Sequence, residues 1–136
     1  MFLDESPKNV KKLEKLLAKD PDSASHLEAA KAETSGSGAR EFPKIRMLVT
    51  DSFVCYFRIG IGGAIMIVPI SEITNIYRTN IVRGEYEYEQ FTLAVETTKG
   101  IRYMANFPRT GKSFDIFNEV IALVRERMSV SGGESV

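Results

Sequence analysis

Apolar positions recur at helical spacing near both ends of the chain and alternate at strand spacing between them. Near the start, Val10, Leu13, Leu16 and Leu17 form a stripe, and Lys8, Lys11, Lys12, Glu14, Lys15 and Lys19 take the remaining surface. That spacing predicts a helix over Ser6–Lys19. Ser6-Pro7 supplies its start, an N-cap followed by a proline whose fixed φ and missing N–H cost nothing in the first turn. Asp20-Pro21 repeats the signal, Ser25-His26-Leu27-Glu28 offers a competing capping box, and the alanine-rich Leu27–Thr34 follows. A second helical segment is therefore expected over Asp20–Glu33. The two segments have too little apolar area for independent stability, so they must dock on the main domain, pack against another copy, or fray.

Thr34–Arg40, TSGSGAR, has the small polar content of a flexible connection and marks a domain boundary. Beyond it the period changes to two. Ile45–Thr50 and Phe53–Ile59 read as a strand pair turning at Asp51-Ser52. In the second of these, Phe53, Cys55, Phe57 and Ile59 share the face expected to point inward, with Val54, Tyr56 and Arg58 on the other. Gly60–Gly63 turns into Ala64–Val68, which Pro69 ends because it has no N–H to give a ladder. Ile70, Ser71, Glu72, Ile73, Ile76 and Tyr77 fit either a helical turn or a bent strand with a bulge, and β-propensity favours the strand. Thr79–Tyr86, with Gly84 and several charges, is expected to be an exposed loop. Tyr88–Thr97 alternates cleanly, Thr98-Lys99-Gly100 is a turn with glycine available for positive φ, and Ile101–Phe107 returns. Phe114, Phe117, Ile121, Val124 and Met128, widened by Ile116, Val120 and Leu123, define a closing amphipathic helix placed to cover an open side of the sheet.

Assembled, these elements give residues 1–40 as a helical appendage and linker, 41–129 as the main domain, and 130–136 as a small polar, disordered tail. The fold class is mainly β with helices, about six antiparallel strands preceded by a weak helical hairpin. The run VTDSFV at Val49–Val54, the core run IVPISEITNI at Ile67–Ile76, the hairpin LAVETTKG at Leu93–Gly100 and the helix at Phe114–Leu123 together resemble the pleckstrin-homology-like superfold, including bacterial PH-like and GRAM-type domains. The resemblance covers roughly Ile45–Met128. It implies a strongly bent antiparallel sheet or partial barrel capped by the C-terminal helix. Many such domains bind phosphoinositides through basic residues in the loop after the first strand. Here that connection is Asp51-Ser52, acidic and short, so the mechanism does not carry over.

Composition narrows the setting more than the chemistry. A chain of 136 residues buries one modest core. The 18 Lys and Arg balance the 18 Asp and Glu, so no net field draws it to nucleic acid or anionic lipid. One cysteine, Cys55, makes no internal disulfide, and a reducing, cytoplasmic setting fits. The amino terminus lacks the basic head and apolar run of a signal peptide, and Ile59–Ile70 is too short and too broken by glycine and proline to span a membrane.

Each chemical candidate has a plainer reading beside it. Gly60-Ile61-Gly62-Gly63 lacks the spacing and Lys-Ser/Thr pair of a phosphate loop and reads as a hairpin turn. His26, the only histidine, reads as an incidental surface residue. Glu85, Glu87 and Glu89 share a face if extended, but they have no companion ligands and suit a solvated strand entry. Cys55 sits between Phe53, Val54, Tyr56 and Phe57, the surroundings of a packed thiol rather than a nucleophile. Arg58, Arg78, Arg83, Arg102, Arg109 and Lys112 are the most suggestive set, an anion-binding rim if folding gathers them. No metal, cofactor or catalytic residue is expected. The expected function is a noncatalytic protein-interaction or self-assembly module presenting a strand edge or groove to a protein partner or another copy. The alternative is weak anionic-ligand or lipid-headgroup binding by the basic rim. An enzyme is the reading with least behind it, there being no nucleophile elbow or cofactor fingerprint.

Overall fold

The computed structural model describes residues 7–58, 64–83, 86–107 and 111–133. Its elements, in chain order, are α1 (Pro7–Lys19), α2 (Pro21–Glu33), β1 (Arg40–Phe42), a 3-10 turn (Pro43–Ile45), β2 (Met47–Val49), β3 (Phe53–Arg58), β4 (Ala64–Pro69), a second 3-10 turn (Ile70–Glu72), β5 (Ile73–Arg83), β6 (Tyr86–Thr97), β7 (Arg102–Phe107) and α3 (Gly111–Gly133). They fall into two compact units, residues 1–70 and residues 71–136.

The first unit is a four-stranded antiparallel sheet in the order β1-β2-β3-β4, with the helical hairpin docked on it. In the register, Cys55 sits opposite both Leu48 and Ile67, and Phe57 opposite Ile65. Paired residues share a face. That face carries Leu48, Phe53, Cys55, Phe57, Ile65 and Ile67, all buried in one cluster with Leu13 of α1 and Ala30 of α2. Leu16, Leu17 and Leu27 pack around them. The helical stripe thus covers the sheet of its own chain. The opposite face, with Met47, Val49, Val54, Tyr56, Met66 and Val68, is buried as well. Alternation in β3 pointed to one strongly buried side, whereas the unbroken apolar run of β4 is the pattern of a strand buried on both.

The second unit is a three-stranded antiparallel sheet, β5-β6-β7, against which α3 packs along β5 and β6. Phe117, Val120, Ile121 and Val124 are the buried positions of α3, the stripe its spacing predicts. The helix runs past Met128 to Gly133. Gly100, at φ 78°, occupies the left-handed position of the β6–β7 turn. Its N–H donates to the Thr97 carbonyl, and Thr97 N–H donates to the Ile101 carbonyl.

The structure corrects the expected bent sheet or partial barrel. Among the described residues there are seven strands in two separate antiparallel sheets, with no curled or closed sheet, so the class is mixed α/β rather than a capped barrel. The physical reason lies at the joint. Pro69 offers no N–H, and Ile70–Glu72 closes into a 3-10 turn, so the ladder of β4 stops before β5 starts. The bent strand with a bulge favoured over Ile70–Tyr77 is that turn at Ile70–Glu72 followed by β5, whose pairing does carry an irregularity between Ile73 and Asn75. The loop expected over Thr79–Tyr86 is largely strand: β5 continues to Arg83 and β6 begins at Tyr86, pairing Ile81 with Tyr88 and Arg83 with Tyr86. The Gly60–Gly63 turn lies outside the described residues.

Candidate functional site

Each strand at the border of a sheet exposes a row of backbone donors and acceptors unless something covers them. Among the described residues, three of the four borders carry a visible device. On β4, the buried Ser23 hydroxyl of α2 accepts a hydrogen bond from Ile67 N–H at 3.1 Å and donates to Asp20 Oδ2 at 2.8 Å. Asp20 is itself the N-cap of α2, accepting from Ser23 N–H at 3.2 Å. On β5, the Arg125 guanidinium of α3 donates to the Ile76 carbonyl at 3.0 Å, and irregular register interrupts the strand twice. β1 is only three residues long, with Arg40 and Glu41 exposed and Arg40 lying over the Phe42 ring.

β7 differs. It spans six residues, Arg102–Phe107, with no lysine, proline or register shift, and β6 is its only paired strand among the described residues. Antiparallel pairs alternate between bonded and non-bonded positions. Because Thr97 N–H bonds to Ile101, the pairs Val95–Tyr103 and Leu93–Ala105 are the bonded ones. The N–H and C=O groups of Arg102, Met104 and Asn106 therefore point away from β6. Met104 is also exposed, at 40%, the one large hydrophobic side chain that is so among those whose side chains are described.

The surroundings of this edge are polar and hydrogen-bonded. Glu96 pairs with Arg102 across the β6–β7 ladder and accepts the Tyr77 hydroxyl at 2.8 Å. Donating to Glu96 is the main reason the Tyr77 phenol is pushed up from its ordinary value. Arg102 lies 6.0 Å over the Tyr77 ring. Lys99 in the turn reaches Glu72 at 3.7 Å, and Thr98 N–H donates to the Glu72 carbonyl.

The residues expected to form a basic rim belong to both units. Arg58 is exposed at the end of β3, in the first unit. Arg78 and Arg102 belong to the second unit but stand opposite Leu93 and Glu96 respectively. Those two positions of β6 differ by an odd number, so the pleat sends the two arginines to opposite faces of the sheet. Arg102 has a carboxylate as its cross-strand neighbour. Arg83 ends β5 and Lys112 stands in the first turn of α3; only their backbone is described, and Arg109 lies outside the described residues.

Cys55 is fully buried, and burial first, then the Glu33 carboxylate, pushes its thiol up to about 12. It packs as the sequence reading held. His26 is half-buried, its ring tilted against Phe53 at 5.7 Å. Glu87 and Glu89 lie in β6 with only their backbone described, and Glu85 lies outside the described residues. Among the described residues no group of three or more His, Cys, Asp or Glu is arranged to hold a metal, and no helix is long and apolar enough to cross a membrane. Sequence reasoning missed Ser23 and the edge character of β7. The first had a signal in Asp20-Pro21-Asp22-Ser23, a cap residue with a hydroxyl three positions on. Pairing order, which makes β7 an edge, leaves no such mark. No family model, curated protein or solved structure matches the chain.

Proposed function

We propose that the chain is a noncatalytic protein-interaction module whose docking element is the outer edge of β7. The observation that carries this reading is the contrast between edges: β4, β5 and β1 are plugged, interrupted or short, whereas β7 presents the backbone of Arg102, Met104 and Asn106 beside an exposed Met104 side chain. An added strand gains affinity from main-chain bonds and specificity from alternate side chains, and a six-residue edge is enough for such pairing. The Tyr77–Glu96 hydrogen bond and the Arg102 guanidinium over the Tyr77 ring give a partner a polar border. Anion binding by the basic set gains nothing from the placement of Arg78 and Arg102.

The test is a photo-reactive amino acid at position 104 of the full chain in cells, with the same group at exposed Lys44 as control. A discrete adduct from position 104, absent from the control and lost in Arg102→Pro, is the expected result. Equal or absent labelling at the two positions overturns the proposal.

A further inference from the structure

Resting on that reading, we infer that the partner of the β7 edge is a second copy of this chain, paired antiparallel about a two-fold axis through Met104. A strand that pairs with itself must oppose its own residues without conflict. Centred on Met104, the register sets Arg102 against Asn106 of the copy, Tyr103 against Ala105, and Met104 against Met104. No like charges meet, the large Tyr103 faces the small Ala105, and the exposed Met104 side chain finds an apolar neighbour. A shift by one residue in either direction changes this: it puts Arg102 against Ala105 or Tyr103 against Asn106 and leaves Met104 without its counterpart.

The bonding parity agrees with the same register. Arg102, Met104 and Asn106 are the residues whose backbone groups point outward, and antiparallel partners exchange bonds only where both face each other. With Met104 on the axis, Met104 meets Met104 and Arg102 meets Asn106, outward groups on both strands. Two three-stranded sheets then join into one continuous sheet, and the one long edge without a device in the described residues is removed.

The experiment is the mass of the purified full chain by light scattering up to roughly 1 mM, a range in which micromolar pairing is complete. Amide exchange of Arg102, Met104 and Asn106 is followed in parallel. A dimer whose formation protects those three amides is expected. Met104→Pro removes the axial N–H while leaving the ladder to β6 intact, and Met104→Lys sets two lysines directly opposite each other at the axis, their Cα atoms about 5.5 Å apart. Both variants are expected to be monomers with wild-type circular dichroism, and Met104→Lys serves if the proline variant does not fold. A monomeric wild-type mass, or a dimer that persists in the folded variants, overturns self-pairing. The interaction reading falls separately: a monomer that still yields a position-104 adduct of a different protein retains it, and a monomer with no adduct loses both.

Discussion

Replacing Ser23 with alanine removes one hydroxyl from a site with no solvent exposure. That oxygen is the acceptor for Ile67 N–H at 3.1 Å and the donor to Asp20 Oδ2 at 2.8 Å. The alanine variant keeps the Ser23 backbone bond to Asp20, so the helix cap survives in part. What is lost is the hydroxyl that accepts from a buried amide on a strand border, and leaving such a donor unsatisfied costs roughly 1–3 kcal/mol. Expressed as local opening, this is about a fivefold to hundredfold faster exchange of the Ile67 amide. The assay is native-state hydrogen exchange read at Ile67, with urea unfolding as the global measure. Ser25→Ala is the control, because the Ser25 hydroxyl donates to the Asp22 carbonyl on the exposed side of the same helix and its loss is worth a few tenths of a kcal/mol. Ile67 exchange altered by less than about twofold, or altered equally by both variants, would refute the claim that α2 plugs this edge.

Leu13→Ala, in the cluster between α1 and the first sheet, is expected to cost about 2–5 kcal/mol in urea unfolding, as for other buried leucines. The Cys55 thiol, raised from 9.0 to about 12, has a definite sign: the unfolded chain loses this proton first. Stability is therefore fully present below pH 9.0 and falls by up to tenfold in the folding equilibrium per pH unit between 9.0 and about 12, a slope that Cys55→Ala should lack. At pH 8 a thiol reagent is expected to label Cys55 only in denaturant. Glu96→Gln should lower the Tyr77 titration midpoint, followed by ultraviolet absorbance, because the carboxylate that holds the phenol's proton is gone.

The elements that alternation or helical spacing marks unambiguously were readable from the residues. β6, β7, the Gly100 turn and the Phe117–Val124 stripe of α3 all stand where those patterns put them. The docking of α1 and α2 was open in the sequence, because Val10, Leu13, Leu16 and Leu17 identify an apolar face without naming what covers it. Charge and glycine misled at Thr79–Tyr86: Arg83, Gly84 and Glu85 suggested a loop, but backbone pairing carries β5 to Arg83 and opens β6 at Tyr86. The separation of the sheets turns on Pro69 and the Ile70–Glu72 turn, where a local backbone choice outweighed the β-propensity of Ile70, Ile73 and Ile76. For the candidate site, Met104 looked like one more alternating residue. Its exposure and the outward backbone of its strand depend on which strand ends the sheet, a long-range fact that periodicity does not encode.

Amide exchange across the borders of both sheets tests the open β7 edge most directly. In dilute protein, Ile67 N–H on β4 should be strongly protected by Ser23, while Arg102, Met104 and Asn106 should exchange close to the rate of an unstructured chain and slow as concentration rises. Protection of those three amides in dilute, demonstrably monomeric protein would show that the chain covers this edge itself, and would contradict the account.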